Sequence, residues 1–228
     1  MKRTLLAVGL IAGLLPLLMV GTGAATIVGG NVTGGSAFTA GGTFVELSAP
    51  LANPFGAANT VGQDTFDSFN LFGFNEVQNF VLTAPLVVNV GSSPLPIGTT
   101  VSSHYIFFDP LRLETLIGTV NFSSTVIGLL TLQAELIGSN FLANPGVNYL
   151  YPTLVGLETR DLVTITGPNQ ISLAIGASTP GDFIRVLTAD EPLAVPEPSA
   201  FLLLSLGVAG MVSFRMWRRT GKSGAESR

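Results

Sequence analysis

Asp161-Leu162-Val163-Thr164-Ile165-Thr166-Gly167-Pro168-Asn169-Gln170-Ile171-Ser172-Leu173-Ala174-Ile175-Gly176-Ala177 is the stretch whose reading decides the fold. Two alternating runs flank Gly167-Pro168-Asn169-Gln170, a link built from turn-forming residues. Alternation sends successive side chains to opposite sides of an extended chain, so the stretch predicts an antiparallel β-hairpin.

Working outward, the same texture recurs: short apolar and β-branched runs broken by Gly, Pro, Asn and Ser. It predicts strands at Thr43–Leu47, Glu76–Leu82, Leu86–Val90, Thr100–Phe108, Leu116–Phe122, Val126–Leu132, Leu162–Thr166, Ile171–Ile175 and Phe183–Leu187. Strands of this length and spacing predict an all-β, jelly-roll-like β-sandwich. Leu132–Phe141 reads as a short helix. Thr26–Gly42, rich in Gly, Thr and Ala, reads as a loose or edge segment. No fixed-period repeat is visible, which argues against a solenoid.

Charge is unevenly distributed. Charged residues make up 11% of the 228, against about 25% in an average soluble protein. Thr26–Ala194 carries twelve acids against three bases, Arg112, Arg160 and Arg185, for a formal charge of −9. Such a body repels phosphate backbones, which excludes nucleic acid as an expected partner. Cysteine is absent, so disulfides, thiolate metal sites and thiol nucleophiles are excluded as well.

The remaining bases sit near two apolar segments. Met1-Lys2-Arg3-Thr4 leads into an apolar run from Leu5 to Val20, followed by Gly21-Thr22-Gly23-Ala24-Ala25. That order reads as a secretory signal peptide, residues 1–25, cut after Ala25 or Ala24. The second segment, Ala200 to Phe214, has no charge and is followed by Arg215, Arg218 and Arg219. At about 1.5 Å per residue it is short for a roughly 30 Å hydrocarbon core. Snorkelling arginines and Trp217 at the interface close that gap, so one C-terminal transmembrane helix is expected. Basic residues stay on the cytoplasmic side, which turns the body of the chain outward. The expected organisation is thus a signal peptide at 1–25, a β-sandwich ectodomain at 26–194 and an anchor at 195–228.

Directly before the second segment stands Val195-Pro196-Glu197-Pro198-Ser199. Pro-Glu-Pro, an apolar helix and an Arg-rich end together resemble the PEP-CTERM sorting signal of Gram-negative bacteria. The resemblance implies an exosortase-type enzyme as partner, with Pro196, Glu197 and Pro198 as its recognition residues and not as catalytic groups. Two prolines fix φ and deny helix hydrogen bonds, which keeps this segment extended and accessible. Gly98–Pro110 and Pro180–Val186 are similar to stretches of other PEP-CTERM ectodomains. That likeness implies a shared β fold and transfers no catalytic residue.

Chemistry in the body is sparse. His104 is the sole histidine, it has no Gly-x-Ser-x-Gly elbow near it, and it reads as a hydrogen-bonded structural residue on a strand. One histidine without cysteine makes zinc unsuitable. Asp64 and Asp67, in Gly-Gln-Asp-Thr-Phe-Asp-Ser-Phe-Asn, are close enough in sequence to share a calcium ion with Asn70. They lack the Asp-x-Asp-x-Asp-Gly pattern, so the reading is solvated turn carboxylates, with no metal and no cofactor assigned. Phe66, Phe69, Phe72, Phe74 and Phe80 read as core.

These observations lead to an expectation of a non-enzymatic, exported structural protein. It would be held at the cell envelope by its membrane anchor, or released to the surface or extracellular matrix after processing. A carbohydrate-binding or adhesive module of the extracellular polysaccharide layer is the alternative. A secreted two-carboxylate hydrolase is the third reading, motivated only by the number of acids.

Overall fold

The hairpin at the centre of the sequence reading forms in the computed structural model, which describes residues 23–48, 51–151 and 155–189. The signal peptide up to residue 22, the Pro-Glu-Pro motif, the apolar segment and Arg215, Arg218 and Arg219 lie outside the described residues. In chain order the elements are β1 (Ile27–Gly34), α1 (Gly35–Thr39), β2 (Phe44–Glu46), β3 (Thr60–Val61), β4 (Leu71–Asn75), β5 (Phe80–Val81), β6 (Val90–Gly91) and β7 (Thr100–Phe108). There follow β8 (Glu114–Phe122), β9 (Val126–Leu130), α2 (Gln133–Gly138), a 3-10 turn (Asn140–Leu142), β10 (Asn148–Tyr149), β11 (Leu162–Gly167), β12 (Gln170–Ala177) and β13 (Asp182–Ala189). Among the described residues no helix is long and apolar enough to cross a membrane.

Two sheets make a sandwich. The smaller runs β1-β8-β12-β11, and the larger runs β2-β4-β7-β13-β9-β6, with β5 pairing the far end of β7. The two are unequal and the larger contains a parallel pair, β2 with β4. That differs from a jelly roll of two antiparallel four-stranded sheets, because a long connection between Glu46 and Leu71 brings the chain back in the same direction. In the β11–β12 hairpin Gly167 pairs with Gln170, leaving Pro168 and Asn169 as the turn. Phe122 N–H donates to the Asn169 carbonyl at 2.8 Å and Val126 N–H to the Pro168 carbonyl at 2.7 Å, which fastens the turn to the start of β9.

The smaller sheet follows the expected alternation. In β8, Leu116, Val120 and Phe122 are buried while Thr115 and Ile117 are exposed. The larger sheet does not. In β7 every residue from Val101 to Phe108 is buried, and in β13 every residue from Asp182 to Thr188. One face, carrying Ile106, Phe108, Ile184 and Val186, packs against Leu116, Val120, Ile171 and Leu173 of the smaller sheet. The other, carrying Val101, Tyr105, Phe107, Phe183 and Leu187, lies under a third layer made of loops, the short parallel pair β3–β10 and the short helix, with Leu51, Val61, Phe66, Leu136, Leu142 and Val147.

The third layer explains where the strand expectations slip. Glu76–Leu82 shortens to the two residues of β5, while β4 begins at Leu71 and takes up the aromatic run Phe72-Gly73-Phe74. Leu132–Phe141 does hold a helix, α2, and the 3-10 turn. Thr26–Gly42 supplies an edge strand, β1, and the unanticipated helix α1.

Candidate functional site

His104 is fully buried on the β7 face that looks toward the smaller sheet. Its Nδ1 lies 2.7 Å from Asn75 Oδ1 and its Nε2 3.0 Å from Thr188 Oγ1, so both ring nitrogens are engaged. Burial lowers its pKa to about 3, which keeps the ring neutral. With neither nitrogen free for a substrate, the residue ties β4, β7 and β13 together, as the sequence reading expects.

On the opposite face of β13, Arg185 is also fully buried. Its guanidinium meets Glu76 at two points, Nε to Oε2 at 2.6 Å and Nη2 to Oε1 at 2.8 Å. Nη1 donates to the carbonyls of Leu136 and Ser139 at 3.1 and 2.9 Å. Ser103 Oγ donates to Glu76 Oε2 at 2.6 Å, and the ring of Tyr105 lies 5.6 Å from the guanidinium carbon. Burial opposes the arginine charge, but the Glu76 carboxylate outweighs it and holds the group above its ordinary pKa. Sequence reasoning missed this network; the signal was a single arginine inside the apolar run Phe183-Ile184-Arg185-Val186-Leu187.

The third polar centre is a cluster of three carboxylates. Asp64, Asp67 and Asp109 each bring one oxygen to within 4.8 Å of the others. Asp109 follows β7 and is fully buried. Phe66 N–H donates to its Oδ2 at 3.0 Å and Ser68 N–H to its carbonyl at 2.8 Å, so the loop carrying Asp64 and Asp67 is clamped onto it. The clamp needs a left-handed backbone: φ is +103° at Gly62, +51° at Gln63, +57° at Asp64 and +42° at Asp67. A Cβ at Gly62 would stand 2.4 Å from the Leu150 carbonyl oxygen, and Asp tolerates this region better than most residues. On the other side Gly181 touches the site; a Cβ there would meet Asp109 Oδ1 at 2.9 Å.

Electrostatically the cluster is frustrated. Burial, together with Asp64 and Asp67, raises Asp109 to about 6 against the pull of the backbone N–H groups of Phe66 and Thr65, and burial and Asp64 raise Asp67. Asp64 Oδ1, Asp67 Oδ1, Asp109 Oδ1 and Thr65 Oγ1 are buried oxygens that take no hydrogen bond from the protein. Three carboxylates converging with spare acceptors form an oxygen-only donor set, the chemistry of a hard cation. Asn70 is not part of it, because its Oδ1 accepts from the N–H and Oγ1 of Thr43 at 2.9 and 3.3 Å. The residue that completes the cluster, Asp109, is far away in sequence, marked only by closing an apolar strand ahead of Pro110.

Cavities indent the surface of the described residues, two of them lined as follows. One, about 400 Å³, is lined by Asn140, Phe141, Asn144, Pro145, Asn148 and Tyr149 among others. The second, about 420 Å³, is lined by Leu113, Ile117, Glu158, Arg160 and Asp161 among others. Asp64, Asp67 and Asp109 line neither.

The two stretches singled out in sequence, Gly98–Pro110 and Pro180–Val186, are neighbours: β7 and β13 pair antiparallel from Asp182–Phe108 to Ala189–Val101. Between them they carry His104, Arg185 and Asp109, one residue for each polar centre. Residues 194–219 match the family model of the PEP-CTERM protein-sorting motif. The chain therefore carries a signal of the kind an exosortase recognises, which implies export. No curated protein and no solved structure matches the chain.

Proposed function

We propose that the protein is a non-enzymatic structural component of the cell envelope, a β-sandwich exported through its signal peptide and delivered by an exosortase to the membrane, surface or extracellular matrix. The observation that carries this reading is the sorting motif at residues 194–219, beginning five residues after β13 ends at Ala189. The buried, doubly engaged state of the sole histidine supports a non-catalytic body. In a host with an exosortase, intact-mass measurement of the mature protein is expected to show loss of the chain beyond the Pro196-Glu197-Pro198 region. A mature protein retaining Arg215, Arg218 and Arg219 would refute processing.

A second reading, a carbohydrate-binding module of the polysaccharide layer, is favoured by the cavity that sets Asn140, Asn144 and Asn148 beside Tyr149 and the half-exposed Phe141. Amides supply donors and acceptors for hydroxyls, and the rings supply an apolar surface for a sugar face. Calorimetric titration with the host's own polysaccharide fragments tests it. Heat that disappears in Asn144→Ala supports the module, and no heat across the fragment set refutes it.

A further inference from the structure

We propose that Asp64, Asp67 and Asp109 bind one calcium ion where the Gly62–Ser68 loop folds onto the end of β7. The inference goes beyond the envelope role and does not depend on it.

Geometry comes first. Calcium takes oxygen ligands at about 2.3–2.6 Å, so two ligands on opposite sides of one ion stand about 5 Å apart. Three carboxylate oxygens within 4.8 Å of one another fit around such an ion. Calcium also accepts irregular coordination, which suits ligands drawn from a loop and a strand end, whereas magnesium demands a near-ideal octahedron at about 2.0–2.1 Å.

Burial is the second, independent observation. Asp109 is fully buried, yet its Oδ1 receives no hydrogen bond from the protein. Natural proteins leave few such groups, because each forfeits its hydration without a partner. Four of the seven such oxygens among the described residues belong to this loop and Asp109, since Asp64 Oδ1, Asp67 Oδ1 and the almost fully buried Thr65 Oγ1 share the condition. A turn of merely solvated acids would spread its carboxylates into water; this loop instead donates Phe66 N–H to Asp109 and folds two further acids toward it.

Charge completes the argument. None of the body's three bases serves the cluster: Arg112 pairs with Glu114, Arg185 is buried against Glu76, and Arg160 lines the cavity with Glu158 and Asp161. The balancing positive charge must come from protons or from a cation. A proton shared between two carboxylates serves one pair of oxygens, while a divalent ion satisfies several orphan oxygens at once.

The test is isothermal titration of the full-length chain, purified in detergent and stripped with EDTA, with CaCl2 and separately with MgCl2. Calcium is expected to bind at one site per chain with a Kd between about 10 µM and 1 mM, the range from sensors to extracellular modules. Saturating calcium should raise the melting temperature by several degrees. Asp64→Asn and Asp67→Asn, in the less buried positions, should each weaken binding about tenfold or more. Without calcium both variants should melt at or above the wild-type temperature, because a like charge is gone, and this separates a lost ligand from a lost fold. No heat and no melting shift at ~10 mM calcium, far above the expected Kd, would overturn the proposal. So would unchanged titration of the two variants, or magnesium binding as tightly as calcium.

Discussion

The two faces of the larger sheet are packed from different materials. Toward the smaller sheet the contacts are mainly aliphatic, Ile106, Leu116, Val120, Leu129, Ile171, Ile184 and Val186 among them, with Phe108 and Phe122 as the buried rings and His104 held neutral inside. Toward the loop layer the contacts are aromatic: Phe107 stacks on Phe72 and Phe183 at 5.1 and 5.5 Å, and Tyr105 meets Tyr149 edge-on at 5.1 Å. That face also holds the Arg185–Glu76 ion pair. The difference reflects what each face packs against. A regular sheet offers a ridged surface that branched aliphatic chains fill, while irregular loops leave polar backbone groups that need donors. Arg185 supplies them, satisfying the Leu136 and Ser139 carbonyls at the end of α2. The loop layer is thus pinned by a charge network where the sandwich proper is held by shape.

The largest expected effect breaks that network. Arg185→Ala removes one partner of a buried pair and strands Glu76, which should destabilise by about 3–5 kcal/mol. In a domain of this size that is roughly a 10 °C fall in melting temperature, read by calorimetry. Replacing both partners with apolar residues, Arg185→Met with Glu76→Leu, should recover much of the loss, since no charge is then left uncompensated. If the single variant melts within a degree or two of wild type, the loop layer is held by its aromatics alone.

The next effect is a dependence on pH. Asp182, at the start of β13, is raised to about 8 by burial and by Asp161 and Glu158. An acid whose folded pKa exceeds its unfolded value is protonated preferentially when folded. Stability therefore falls as pH rises from about 4 to about 8, by up to a few kcal/mol. Asp109, raised to about 6, acts in the same direction over a narrower window. His104 acts oppositely: with its folded pKa lowered to about 3, the stability present above about 6.5 is lost as pH falls toward 3. The melting temperature should fall between pH 6.5 and 8.5, and Asp182→Asn should flatten that slope. A slope unchanged in the variant would remove Asp182 as its source.

Smaller still is the contrast between the two packings. Ile184→Val, on the aliphatic face, should destabilise by about 0.5–1.5 kcal/mol. Phe107→Leu should exceed it, because ring pairs contribute about 0.5–1.5 kcal/mol beyond the area they bury. Equal losses in urea titrations would mean that the rings act only as volume.

The aliphatic half of this comparison is legible in the sequence and the aromatic half is not. The hairpin at Asp161–Ala177 and the strand at Thr100–Phe108 follow from local alternation and turn residues, and both form within a residue or two of the bounds that pattern predicts. Phe66, Phe72 and Phe74 read as core and are buried. What covers them comes from loops distant in sequence, whose conformation has no period to read. Asp109 and Arg185 are invisible for the same reason. Each is a single polar residue in or beside an apolar strand, and its partner is chosen by tertiary packing. Asp64 and Asp67 stand out by proximity in the chain, but Asn70, the partner that proximity suggests, serves Thr43 instead.

The smallest expected effect serves as the control for the first. Arg112 and Glu114 form the same pair of residue types as Arg185 and Glu76, with Nε and Oε1 at 3.3 Å. The Arg112 side chain is 78% exposed, against 0% for Arg185. In water the attraction between such charges is screened and the hydrated state of each is nearly as good, so holding two long side chains together gains little. Arg112→Ala should leave the melting temperature unchanged within error, at low salt and at high. The same substitution at Arg185 removes a charge that the protein has taken wholly out of water, and Glu76 cannot return to solvent without opening the loop layer. A comparable loss in the two variants would show that the ion pair stabilises through its chemistry alone; a loss only at Arg185 would show that the layer above it makes the pair matter.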